Sequence, residues 1–345
     1  MFKIRRGLAT AATVALISLS LAPGASAWDE DGHAIITYVA CDSPPETMPD
    51  WLKSPEVRDR LVYLASEPDR WRGQHNVHLD HINNPDHYLD EEKLHPYGLS
   101  LKNLPRLRTE YTDILATKRA LHPEKFQKRV AEKDKDYTRL SPGLLPYSIA
   151  ERMWKVAAGW TQLKTYENHR DRISETMIKN AKENIIYHMG VLSHFVGDGS
   201  QPLHLTHHHH GWVGANPKHY TTDKAFHALI DDGIILFHGI YFDDLRNRKQ
   251  PPRSFSTTNY WKDIRTYLYE SYELVEPLYE LEKTGDLKRA EGKRFIEGRL
   301  LEAGSALAGI WTAAYEGARI DDFRVNRLKK RYPKQPGLAP RKKEG

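Results

Sequence analysis

Cysteine is almost missing from this chain of 345 residues, Cys41 being the only one. A single thiol excludes an internal disulfide framework and a thiolate-rich metal site, so any metal has to be held by histidine, aspartate and glutamate. After residue 27 there is also no long apolar run, which excludes a membrane-spanning helix from the remainder. Alternating strand patterns, internal repeats and long linkers are absent as well. With 39% hydrophobic residues the chain is neither disordered nor collagen-like, and its length permits one large core or two smaller ones.

What is present begins with a leader. "MFKIRRGLATAATVALISLSLAPGASA" has a basic start, an apolar middle, a Pro23-Gly24 break and an Ala25-Ser26-Ala27 ending. These are the parts of a secretory signal peptide over 1–27, so the mature chain is expected to be exported, secreted or periplasmic, and to begin at Trp28. The leader changes the charge balance. Of 51 cations and 46 acids the leader holds three cations and no acid, and 324–345 holds nine cations and one acid. The body from Trp28 to Phe323 therefore carries 39 cations against 45 acids, and the basic isoelectric point belongs to the two ends. The segment 324–345 reads as a basic, solvated, disordered tail.

The body reads as all-α, a compact multi-helix single domain over 28–323. Apolar residues recur at helical spacing in Ile149, Met153, Val156, Trp160, Leu163, in Ile178, Ala181, Ile185, Met189, Leu192, Val196, and in Ile296, Leu300, Ala303, Leu307, Ile310, Ala314. A further helical stretch over 260–285 is expected to kink at Pro277 and stop at Gly285. The charged segment 93–145 is least legible; "PEKFQKRVAEKDKDYTRL" within it suggests a solvated outer helix.

Chemistry concentrates in "HFVGDGSQPLH" at 194–204. On a helix running to Asp198, His194 and Asp198 share one face, where imidazole and carboxylate can hold one metal ion, and His204 sits on the turn that follows. The same spacing recurs at His227 and Asp231 in "FHALID". Cleavage before Trp28 would free an α-amino group five residues ahead of His33. An amine and its own carbonyl oxygen can chelate a metal in a five-membered ring.

Together "WDEDGH", "ASEPDRW", "PDHYLD", "HFVGDGSQPLH" and "FHALID" resemble, in order and context, the S1/P1 nuclease and zinc-dependent phospholipase C superfamily, from Trp28 to about Asp231. That resemblance implies an exported all-α hydrolase with three zinc ions. It assigns Asp69, His87, His194 and Asp198 to the first ion, and His204, His227 and Asp231 to the second. The third takes the Trp28 nitrogen and carbonyl oxygen, His33 and the other oxygen of Asp198. Asp198 would bridge two ions, and Asp69 would also orient the attacking water. His81, His78 and His75 stand just upstream as alternatives to His87, which alone has the aromatic and acid that follow in the family. The chain departs from the family in having Gly199 and Ser200 where a histidine is usual, and in the run His207–His210.

The expected substrate is single-stranded nucleic acid or a nucleotide 3′ phosphate, with no stable protein partner. A phospholipase C acting on glycerophospholipids uses the same metals and is the alternative within enzymes. A zinc-binding protein without turnover is the alternative outside them. Trp71, Trp212 and Tyr220 are candidates for stacking on bases, or else for the core.

Overall fold

The structure, a computed structural model, describes residues 28–43, 47–72, 74 and 76–334; the leader lies outside the described residues. Helices account for the architecture, and among the described residues the only β feature is an isolated bridge between Leu89 and Gly143. The all-α expectation holds.

The main helices are α1 (Glu30–Cys41), α2 (Pro55–Ala65), α3 (Arg108–Leu121), α4 (Leu145–Glu167), α5 (Glu175–Ser200), α6 (Tyr260–Tyr272), α7 (Val275–Thr284), α8 (Ala290–Gly317) and α9 (Asp322–Arg331). The apolar stripes found in the sequence become buried faces of α4, α5 and α8, with Trp160, Ile185, Leu192, Val196, Leu300, Leu307 and Ile310 all inaccessible. Helix α5 lies against α4, α2, α1 and α8, so the helix carrying "HFVGDGS" runs through the centre of the core. Glycine permits two of these approaches. A Cβ at Gly190 would stand 2.4 Å from Leu64 Cβ, and one at Gly304 would stand 2.3 Å from Val39 Cγ1. None of the described helices is long and apolar enough to cross a membrane.

Boundaries follow from local chemistry. The Ser174 hydroxyl accepts from Met177 N at the start of α5, and Pro202, which lacks an N–H, follows its end. The stretch 260–285 is two helices rather than one kinked one. The break falls at Glu273 and Leu274, because Pro277 sits in the first turn of α7, where no backbone N–H is needed. Gly285, at φ 79°, ends α7 as expected.

Two expectations need correction. In 93–145 the helix is α3, over Arg108–Leu121, whereas 123–140 holds only short 3-10 turns at Pro123–Lys125 and Ala131–Lys133. Tyr111 is the anchor that decides this: it is fully buried on α3, while no residue of those two turns is. The basic tail is not disordered from residue 324. Helix α9 runs to Arg331 because Asp321 caps it through Arg324 N, Leu328 is buried, and Arg172 Nη1 donates to Tyr332 O. The last eleven positions, 335–345, lie outside the described residues.

Candidate metal centre

The C-terminal turns of α5 place His194 and Asp198 four residues apart, both fully buried. Two other segments close on them. The 3-10 turn Asn84–His87 brings His87, whose Nδ1 lies 3.0 Å from His194 Nε2 and 3.0 Å from Asp198 Oδ2. From α1 comes His33, stacked on the His194 ring at 4.0 Å with its Nε2 3.4 Å from Asp198 Oδ1. The two oxygens of Asp198 thus face different imidazoles, the arrangement a bridging carboxylate needs. Asp69, one-fifth exposed, sets Oδ1 3.8 Å from both His87 Nδ1 and His194 Nε2.

Gly197 makes the stacking of His33 possible: a Cβ there would meet His33 Nδ1 at 2.7 Å. Gly199 does the same for Leu268 and Tyr267, whose nearest atoms would lie 2.6 and 3.0 Å from its Cβ. The two glycines of "VGDGS" therefore serve close packing on either side of Asp198.

A second group stands beside the first. The 3-10 turn Pro202–Leu205 carries His204, and the helical segment from Phe226 carries His227, which precedes a π turn over Leu229–Gly233 holding Asp231. The His204 and His227 rings lie 4.9 Å apart, and His227 Nε2 is 3.2 Å from Asp231 Oδ2. Gln201 Nε2 donates to Asp231 Oδ1 at 2.7 Å and leaves Oδ2 facing the imidazole.

Trp28 closes the cluster from the other side. Its indole is fully buried and donates to Ser200 Oγ at 2.9 Å, Asp29 N donates to Asp231 O, and the Trp28 backbone N–H is bonded to the Asp231 carboxylate. A φ of 30° at Trp28, rare for a residue with a Cβ, is held by these contacts.

Ring orientation is fixed from outside. His194 Nδ1 is 2.7 Å from Ala65 O and His204 Nδ1 is 2.6 Å from His87 O, so each donates there and turns an unprotonated Nε2 inward. Burial holds His87, His194 and His227 well below the usual imidazole range and His204 down to about 3. The same desolvation pushes Asp198 up to about 7 and Asp231 well above the ordinary carboxylate range. Neutral imidazoles around carboxylates that resist ionisation are what cations correct.

Three groups of side chains bring their ligand atoms within 4.8 Å of one another and can hold a metal ion: His33, Asp69 and His194; His87, His194 and Asp198; His204, His227 and Asp231. The buried His87 Nε2, His204 Nε2 and His227 Nδ1 find no hydrogen-bond partner among the described residues, and the pairs His33/Asp198 and His227/Asp231 meet at 3.4 and 3.2 Å outside hydrogen-bond geometry. Each such orphan costs about 1–3 kcal/mol, which coordination would offset. Nitrogen and oxygen donors without sulfur fit zinc and its neighbours.

All the candidate ligands named from sequence are at this cluster. His87, buried, belongs to it, whereas His81 is exposed and bonded to Asp136 O at 2.7 Å, and His78 is exposed too. His75 lies outside the described residues. Trp212 and Tyr220 are core-like: Trp212 stacks on His208 at 3.9 Å, and Tyr220 is buried against Tyr279. Trp71 is half-buried and donates to Glu67 Oε1. Sequence reasoning missed Arg72, which donates to Asp69 Oδ1 at 3.3 Å and to Asn84 Oδ1 at 3.1 Å. Its position three residues after Asp69 on one helical turn was the available signal. Gln201 and Gly197 were missed as well, since their roles depend on segments distant in sequence.

A cavity of about 270 Å³ opens onto the cluster, with Arg72, His87, His204 and His227 in its lining together with His209 and His210. A larger one, about 480 Å³, lies between the end of α4 and α9 and shares no residue with the cluster. Compared with known proteins, the chain matches no family model and no curated protein closely enough to count as a relative.

Proposed function

We propose that the chain is an exported zinc-dependent phosphodiesterase of the S1/P1 nuclease and phospholipase C type, acting on single-stranded nucleic acid or nucleotide 3′ phosphates. The observation that carries this reading is Asp198. It is a fully buried carboxylate whose two oxygens face His33 on one side and His87 on the other, beside a second His/Asp group.

First-ion ligands in this reading are Asp69, His87, His194 and Asp198; His204, His227 and Asp231 hold the second; Trp28, His33 and Asp198 hold the third. Zinc bound there supplies Lewis acidity toward a phosphate oxygen and makes hydroxide available near neutral pH. Asp69, the partly exposed carboxylate of the group, lies against Arg72 of the cavity lining and would orient the attacking water as well as hold metal. Arg72 lines the same cavity and brings a permanent positive charge toward the phosphate. Ala65 O and His87 O keep the imidazoles of His194 and His204 in the ligand tautomer. No serine or cysteine nucleophile is required.

The test is zinc content of the Trp28-terminated protein, measured alongside hydrolysis of single-stranded DNA, RNA and phosphatidylcholine. Three zinc ions per chain and nucleic-acid cleavage lost on chelation are expected. Cleavage of lipid alone would move the assignment to a phospholipase C. Zinc without turnover would make it a binding protein, and protein without zinc would sink the metal reading. Retaining residues ahead of Trp28 is expected to abolish activity, whereas a scavenger would lose part of its metal and little else.

A further inference from the structure

The cavity at the imidazoles does not end with them. Lys93 and Arg139 line it, and they also line an adjoining cavity of about 180 Å³, so the two form one groove. In the second cavity Lys93 and Arg139 are joined by Arg119 and Lys125, and no acidic residue lines it. Its aromatic part is Tyr97 stacked on Phe126, ring centroids 4.5 Å apart. All six residues belong to the segment 93–145 that the sequence left unread.

The charges there are poorly neutralised. Asp90 Oδ2 takes Lys93 at 2.6 Å. Arg119 Nε donates to Tyr97 Oη, and Arg139 Nη1 reaches only Lys133 O at 3.5 Å. The nearby acids are engaged elsewhere, Glu124 with His122 and Asp134 with Arg129. Among the described residues the side chains of Arg119, Lys125 and Arg139 have no carboxylate partner, and Asp134 meets Arg139 only through its backbone N–H, which donates to Asp134 Oδ1 at 3.1 Å. Cations gathered along a groove whose one lining acid, Asp90, is taken by Lys93 set up a positive potential that phosphates would neutralise.

We propose that this groove is a backbone subsite, in which Arg119, Lys125 and Arg139 bind phosphates of a single-stranded nucleic acid beyond the linkage held at the metal cluster. The proposal rests on the phosphodiesterase reading above and adds to it that the substrate is a polymer. A glycerophospholipid such as phosphatidylcholine offers one phosphodiester, which the first cavity takes, and leaves the second without a ligand.

The experiment uses the zinc-loaded protein and its Lys125→Ser/Arg139→Gln variant. Lys179→Gln, which removes an exposed cation of α5 outside the groove, is the control. Binding of a phosphorothioate dT12, which keeps the backbone charges and resists hydrolysis, is followed by anisotropy across a salt series. kcat/KM is measured for dT2 and dT12. Each phosphate–cation pair in a single strand contributes about 0.7 to the slope of log K against log salt, so removing two cations is expected to lower that slope by about 1.4. The dT12-to-dT2 ratio of kcat/KM is expected to drop on the order of tenfold, while Lys179→Gln leaves slope and ratio as in the parent protein. An unchanged slope and ratio in the double variant would overturn the subsite. So would tighter, groove-dependent binding of phosphatidylglycerol vesicles than of dT12, which would assign the groove to lipid. Groove-dependent binding without cleavage of any phosphodiester would leave the subsite standing and overturn the catalytic reading.

Discussion

At the scale of single residues, the centre depends on side chains that hold no ligand atom. Gly197 stands in a helix, where alanine is the better former by about 1 kcal/mol, yet a methyl group there would press on His33 Nδ1 at 2.7 Å. Gly197→Ala is therefore expected to keep its helical circular dichroism and lose metal affinity about 10–100-fold, as other supporting changes around metal sites do. Metal titration checks it, and full affinity would show that His33 is not held by this contact. Asp198 makes a prediction about protons. Burial raises its pKa from 3.8 to about 7, so the carboxyl is mostly protonated at pH 6 and mostly ionised at pH 8. His87, His194, His204 and His227, with lowered values, are already neutral at both. Metal binding is expected to release more protons per chain at pH 6 than at pH 8, because Asp198 and the Trp28 amine both hold theirs more fully at the lower pH. Calorimetry in two buffers of different ionisation enthalpy reads the difference; equal release would place the titrating group elsewhere.

Among the helices, glycine has opposite meanings within α8. A Cβ at Gly309 would stand 1.9 Å from Arg253 O, and the 251–253 segment is laced to the same helix by Arg253 N to Ser305 O and Ser305 Oγ to Pro251 O. Backbone on both sides cannot yield cheaply, so Gly309→Ala is expected to cost about 1–3 kcal/mol. Gly298, with nothing within 4 Å of its Cβ, is expected to gain up to about 1 kcal/mol as alanine. Denaturant midpoints of the two variants should move in opposite directions. The same helix-scale reasoning explains α5: the apolar stripe from Ile178 to Val196 was readable because its period is helical, and the chain ends it where Pro202 follows.

For the whole molecule, the cluster ties together segments that share little else: α1, the end of α5, and the turns at Asn84–His87, Pro202–Leu205 and Phe226–Gly233. Metal bound at about a thousand times its Kd would add about 4 kcal/mol to folding. Chelation is therefore expected to lower the melting temperature on the order of 10 °C, and returned zinc to restore it. Melting indifferent to chelator would show that the buried donors are satisfied without metal.

The sequence by itself determined the all-α class, the course of the central helices and the two His/Asp pairs at helical spacing, while Asp69, His87 and the role of Trp28 came only as what the family resemblance implies. It could do so because a helix repeats every 3.6 residues, so pairs such as His194/Asp198 and His227/Asp231 are local. The motif resemblance favoured His87 over His81, and what the structure adds is burial: His87 is enclosed at the cluster while His81 is exposed on Asp136 O. The structure also adds Arg72 on Asp69, Gln201 on Asp231, and Gly197 under His33, contacts that join distant segments and leave no periodic mark. The folded tail at α9 and the groove of Arg119, Lys125 and Arg139 were also decided by tertiary packing. Charged residues read alike whether they face open water or a shared concavity, and only the folded chain distinguishes the two.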